Sequence, residues 1–209
     1  MPRLLLALAL LVAGAGRAGP VASATGIDER PRRGTFVETT LGFFTAMGGS
    51  RPFSNVQPYL GLSLGRELGE RGSLFISLGI GAASASCYQL ASNGDCLAAD
   101  SFGASFAEIG GAYGARVTPR LLLSIKLVSG LTALSPGPVR DKGGVPDNLF
   151  GLHLGGGAAL DYDTHLDHFA VGVDALVRVS LVRYAAAGSP PQTLRLPTLA
   201  VMPKIRYVF

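Results

Sequence analysis

The sequence predicts an all-β fold, an eight-stranded antiparallel transmembrane β-barrel with periplasmic termini, and three observations carry the prediction. Eight segments place apolar residues at every second position, the pattern of strands with one greasy and one polar face. Hydropathy is high and charged residues make up only 15% of the chain, yet no uninterrupted apolar run beyond the N-terminal one approaches a spanning helix of about 20 residues. An alternating barrel reconciles these, because half of its strand residues face lipid. Finally, the connections alternate between short and long, as they do where periplasmic turns are tight and outer loops extended.

Residues 1–24 read as a secretory signal peptide. A basic start at Arg3 precedes an apolar run of roughly ten residues, and Ala22-Ser23-Ala24 forms an A-x-A cleavage pattern; cleavage after Ala18 is the alternative. Residues 25–33 are then a short N-terminal linker, and 34–209 the outer-membrane barrel. The formal charge of +4 falls to about +2 when Arg3 and Arg17 leave with the signal. That balance, without a basic stripe, argues against a nucleic-acid partner.

The strands follow in order. The first, about 35–46, sets Val37, Leu41 and Phe43 against Glu38, Thr40 and Gly42. In the second, Val56, Pro58, Leu60, Leu62 and Leu64 oppose Gln57, Tyr59, Gly61, Ser63 and Gly65. The third opposes Leu74, Ile76, Leu78 and Ile80 to Ser73, Phe75, Ser77, Gly79 and Gly81. Small residues on the polar face of these two suit a crowded lumen. The fourth, about 101–117, turns Ile109, Tyr113 and Val117 away from Glu108, Gly110, Ala112 and Arg116. Leu121, Leu123, Ile125, Leu127 and Leu131 oppose Ser124, Lys126, Gly130 and Thr132 in the fifth. The sixth directs Leu152, Leu154, Leu160 and Tyr162 outward and His153, Gly155, Gly157 and Asp161 inward. The seventh runs from Phe169 to Leu181 on its apolar face, with Gly172, Asp174, Arg178 and Ser180 opposite.

The eighth closes the chain. Its odd positions Pro197, Leu199, Val201, Pro203, Ile205, Tyr207 and Phe209 are all apolar or aromatic. An ending of Ile205, Tyr207 and a terminal Phe209 looks like the C-terminal membrane-insertion signal of outer-membrane barrels, read by the barrel assembly machinery. Tyr113, Tyr162, Phe169, Tyr207 and Phe209 all fall outward near one rim, as an interfacial aromatic girdle does. Pro58 and Pro203 sit awkwardly, since each removes a ladder donor. A soluble eight-stranded sandwich would also alternate, but it explains neither the loop lengths nor the aromatic rim.

Cys87 and Cys96 bracket a polar segment in a long outer connection. In an oxidising compartment such a pair is expected to form a disulfide, contributing on the order of 2.5–3 kcal/mol. Two thiols with no nearby His make no closed zinc site, and neither a metal nor a cofactor is expected.

Eight strands enclose a space that side chains fill. Glu38, Glu108, Lys126, Asp174 and Arg178 are expected to form a mutually neutralising lumen charge network, with Arg116, Lys204 and Arg206 as further inward candidates. Catalysis would need a nucleophile, base and orienter in reach of one another. His153 points inward without a Ser two positions away, and His165 and His168 lie in an acidic turn that more often stays solvated than binds a metal. The connection 134–148 has little to bury and is expected to be mobile or pinned by a partner.

Several segments together resemble a family of small myxobacterial outer-membrane β-barrels that includes the adventurous gliding motility protein CglE. They are 28–31 (Asp-Glu-Arg-Pro), 34–38 (Gly-Thr-Phe-Val-Glu), 41–45 (Leu-Gly-Phe-Phe-Thr), 54–60 (Ser-Asn-Val-Gln-Pro-Tyr-Leu), Ser86-Cys87-Tyr88 with Cys96, and 203–209. From Ser135 to Arg195 only the strand pattern is shared. The resemblance implies a non-enzymatic outer-membrane component of the gliding apparatus, or a paralogue of one, acting as a surface anchor. It supplies no catalytic residues. Outer-membrane lipid and other motility or envelope proteins are the partners it implies. A lipid-modifying enzyme or a small permeation barrel remains the alternative.

Overall fold

The computed structural model describes residues 34–48, 51–84, 101–139, 145–166 and 168–209. The signal peptide, the linker, Cys87 and Cys96 lie outside the described residues. Nine strands are present among those described: β1 (Thr35–Gly48), β2 (Arg51–Phe53), β3 (Gln57–Leu68), β4 (Gly72–Ser84), β5 (Ser101–Thr118), β6 (Leu121–Leu134), β7 (Leu149–Asp163), β8 (Phe169–Tyr184) and β9 (Gln192–Val208). Each long strand pairs antiparallel with the next, and β9 pairs back onto β1. Eight strands therefore close into a ring, which excludes the open-edged sandwich. Closure satisfies the backbone groups that hydrocarbon cannot.

The faces divide as the alternation requires. Leu41, Leu78, Ile109, Leu127, Leu152 and Leu154 stand on the exposed outside, each more than 60% accessible, while Glu38, Lys126, Asp174 and Arg178 are at most 3% accessible inside. An apolar exterior around a charged interior inverts the arrangement of a water-soluble protein. It is the distribution of a transmembrane barrel.

One end carries the tight connections 69–71, 119–120 and 164–168, together with both barrel termini; this is the turn end. The long connections lie at the other, the loop end. Gly69 takes φ 74 in the first turn, a conformation that a residue without Cβ adopts cheaply. At the turn end the last strand is tied down. Phe209 donates its backbone N–H to Thr35 O at 2.9 Å, and Val208 donates to His168 O at 2.8 Å. The Nδ1 of His168 donates to Val208 O at 2.7 Å. Phe169, Tyr207 and Phe209 follow one another edge to face, with centroids 4.9 Å apart at each step.

The prolines sit where the ladder does not need them. Pro58 is paired to Phe43 of β1 but lies before the first β3–β4 pair, Tyr59 with Gly81. Pro203 pairs with Val173 of β8, while the β1–β9 seam is interrupted opposite it, between Thr40–Lys204 and Phe43–Val201.

Two loop-end features depart from the sequence reading. The connection after β1 is a hairpin extension in which β2 pairs with the end of β1, Met47 opposite Phe53. There Thr45, outward by parity, is buried and its hydroxyl donates to Ser54 O at 3.0 Å. The connection 134–148, expected to have little to bury, instead packs Val139 and Val145, from its described residues 135–139 and 145–148, into the barrel mouth. Val139 and Val145 are 1% and 8% accessible, and Gly137 N–H donates to Asp147 O at 2.8 Å. Its two valines are the apolar residues that the polar, Pro/Gly-rich composition obscured.

Candidate functional site: the barrel interior

The interior is built from inward parity positions and divides along the barrel axis. Toward the turn end, Glu38 of β1 accepts from three cations. Lys126 Nζ lies 3.1 Å from Oε1, and Arg206 Nη2 and Lys204 Nζ lie 2.7 and 3.4 Å from Oε2. Lys126 also bridges to Asp174. Lys204 Nζ is 2.7 Å from both Asp161 Oδ1 and Asp174 Oδ1. Three buried carboxylates thus meet three buried cations, with Glu67 at the rim 3.9 Å from Arg206. The guanidinium of Arg206 lies 4.3 Å over the Phe36 ring, and Lys126 lies 5.1 Å over Phe75, so aromatic faces supply part of the lost solvation.

A second cluster lies nearer the middle. Arg178 grips Glu108 with Nε and with Nη2, the latter at 3.2 Å, and reaches Tyr59 Oη at 3.3 Å. Ser77 donates to Glu108 Oε2 at 3.0 Å, and His153 Nε2 lies 3.0 Å from Oε1. The other ring nitrogen of His153 is 2.8 Å from Thr132 Oγ1, which is 3.0 Å from Ser180 Oγ. Close approach at glycines makes room for these long side chains. A Cβ at Gly155 would stand 2.8 Å from Arg178 Cγ, and one at Gly172 would stand 2.8 Å from Asp161 Oδ1 and Lys204 Cε.

Toward the loop end the interior turns apolar. The rings of Phe44, Tyr59 and Phe106 meet at 5.9–6.4 Å, and Phe102, Leu134, Leu149, Val182 and Leu196 pack above them with Val139 and Val145 from the folded-in connection. Phe106 joins the two zones. Its ring carries the Arg178 guanidinium at 4.9 Å and stands edge-on to His153 at 5.4 Å.

All five residues of the expected charge network lie inside, but in two clusters: Glu38, Lys126 and Asp174 in one, Glu108 and Arg178 in the other. Lys204 and Arg206 complete the first, as does Asp161, whose inward parity was visible although its charge was not included. Arg116 is not part of either. It lies at the exposed rim, donating to Asp163 at 2.9 Å and to Pro119 O at 2.7 Å. Sequence reasoning missed the order Glu108–His153–Thr132–Ser180, because its members come from four strands. Acid, imidazole and hydroxyl in that order would orient a base against a nucleophile. Here the hydroxyl on His153 is that of Thr132, and Thr132, Ser180 and the His153 side chain are 1%, 0% and 0% accessible. In the turn, Arg120 donates to His165 Nε2 at 2.7 Å. Among the described residues no three His, Cys, Asp or Glu side chains group as a metal site.

No protein-family model matches the sequence, and no curated protein matches it either. Solved structures do. Neisserial surface protein A superposes with a TM-score of 0.56 at 11% identity, over 84% of this chain and 97% of that one. The fold is that of the eight-stranded outer-membrane barrels. The attachment invasion locus protein Ail of Yersinia pestis, solved with the heparin analogue sucrose octasulfate, aligns with a TM-score of 0.49 at 13% identity, over 84% of this chain and 99% of Ail. The Escherichia coli outer membrane protease OmpT aligns with a TM-score of 0.41 at 9% identity, over 90% of this chain and all of OmpT. At these identities the likeness establishes the fold alone.

Proposed function

We propose that this protein is a non-enzymatic outer-membrane β-barrel that works as a surface anchor, serving a gliding-motility envelope apparatus as a component or as a paralogue of one. An outer-membrane location is supported by the N-terminal signal pattern, the apolar exterior and the barrel fold taken together. The motility assignment rests on the sequence resemblance. Anchoring, as against permeation or catalysis, is supported by one observation: side chains occupy the interior, paired charges in one half and an apolar cluster in the other, with cavities of only about 20 Å³ beside Glu38 and Glu108 and about 40 Å³ at the turn end. A conducting pore calls for a wider lumen and an unpaired ring of one sign. A lipid-modifying enzyme calls for a reachable nucleophile, whereas Thr132, Ser180 and His153 are enclosed. What remains available to partners is the loop end, held at the surface by a rigid ring.

The test is deletion of the gene in its host, with single-cell tracking on agar. Loss of single-cell gliding, restored by the wild-type chain and equally by Thr132→Val/Ser180→Ala, supports the anchor reading. Unchanged gliding in the deletion strain sinks the motility assignment. Restoration by the wild-type chain but not by a folded, membrane-inserted Thr132→Val/Ser180→Ala chain would favour the enzyme reading instead.

A further inference from the structure

The eight barrel strands present only three charged residues on their outward faces among the described residues, and all three are arginines. Arg66 stands near the turn end of β3, while Arg183 and Arg195 stand together at the loop end of β8 and β9. In the β8–β9 ladder Arg195 pairs with Leu181 and Arg183 with Thr193. The two arginines are therefore diagonal neighbours on one face, with backbones roughly 7–8 Å apart, within reach of long side chains. Both are exposed and neither has an ion-pair partner among the described residues. Beside them on β7, Phe150 is 71% accessible on the same outward face, the placement of an interfacial aromatic.

Their height along the barrel matters. From Phe169 to Leu181 the outward face of β8 is apolar at every alternate position. Twelve residue steps span roughly 40 Å along the strand, or roughly 30 Å along the membrane normal at a tilt near 40°. Arg183 and Arg195 thus follow immediately on the hydrocarbon-facing band, at headgroup level. An unpaired guanidinium pair there, facing outward rather than into the lumen, is complementary to a phosphate, which Arg engages with two parallel N–H donors.

We propose that Arg183 and Arg195 form a docking site for a phosphate-bearing headgroup of an outer-leaflet glycolipid, seating one lipid molecule against the β8–β9 face with its acyl chains along Val177, Val179 and Leu181. The proposal rests on the outer-membrane placement above but not on the motility reading. Membrane fractionation of the host tests that placement separately.

The experiment is native mass spectrometry of the full purified barrel in detergent, titrated with diphosphoryl lipid A, with dephosphorylated lipid A and with inorganic phosphate. The wild-type barrel is expected to retain one diphosphoryl lipid A with at least about tenfold preference over the dephosphorylated form, and Arg183→Gln/Arg195→Gln to weaken that binding on the order of tenfold. Arg66→Gln, at the opposite end, leaves it unchanged. Equal retention of phosphorylated and dephosphorylated lipid by the wild type would overturn the site without recourse to any variant. Undiminished binding by a double variant that keeps the wild-type heat-shifted gel mobility would overturn it too. Displacement of the lipid by millimolar inorganic phosphate would reduce the site to one for free anions and overturn the lipid assignment.

Discussion

The two halves of the barrel interior obey the same parity rule and fill the same cross-section, yet they do so with opposite chemistry. Toward the turn end, Glu38, Asp161 and Asp174 are matched by Lys126, Lys204 and Arg206 in contacts that draw on five strands. Toward the loop end, Phe44, Phe102, Leu149 and Leu196 pack in an apolar zone that meets charge only at its inner boundary, where Phe106 carries Arg178. The contrast shows two ways of sealing a narrow lumen. Ion pairs demand complete partnership, because removing one member strands the others in a medium that solvates them poorly. Apolar packing demands only volume, and it degrades gradually.

The sharpest test of that contrast is Glu38→Gln. Three cations lose a shared negative charge, and the barrel is expected to lose about 3–5 kcal/mol, read as a lower urea midpoint in lipid vesicles. Pairing it with Arg206→Met, whose guanidinium makes its short contacts with Glu38, should recover a substantial part of the loss; no recovery would mean that Glu38 acts through packing rather than charge. In the apolar half, Leu196→Ala is expected to cost about 2–5 kcal/mol, with no benefit from any charge-balancing second change. Gly172→Val, by contrast, is expected to cost about 1–3 kcal/mol by overpacking, since a Cβ there meets the Leu160 backbone oxygen at 2.4 Å as well as Asp161 and Lys204. A loss there as large as that of Glu38→Gln would show that the glycine is essential to assembling the cluster. The smallest effect belongs to Thr198. Its Oγ1 is buried with no hydrogen-bond partner among the described residues, so Thr198→Val should stay within about 0.5 kcal/mol or stabilise. A loss above about 1 kcal/mol would reveal a partner such as a bound water, and crystallographic or NMR detection of that water would check it.

The folded-in connection sharpens the comparison from another side. Val139→Asp places a charge in the apolar cluster, and its expected outcome is release of the described flanks, measured as faster protease cleavage within 135–139 or 145–148. The ring itself should keep most of its urea stability, because the charged half does not touch Val139.

Much of this was legible in the residues. Every strand's outward face, from Val37 and Leu41 of β1 to Ile205 and Tyr207 of β9, follows from a period of two, since successive side chains on an extended backbone point to opposite sides. The short connections were legible as well, and so were the inward positions of Glu38, Glu108, Lys126, Asp174 and Arg178. The β2 hairpin and the buried Val139 and Val145 were not. Composition describes how polar a loop is, not whether two of its residues find an apolar cavity beneath them.

By itself, then, the amino-acid order determined an antiparallel barrel and which residues enter its lumen, because parity is a local property of each strand. Only the tertiary structure decided who meets whom: that Glu38 and Glu108 belong to separate clusters, that Arg116 stays at the rim, that His153 stands between Glu108 and Thr132, and that Arg183 and Arg195 lie side by side. Those outcomes depend on register and tilt, which set the height of each residue along the axis and arise only when all eight strands close together.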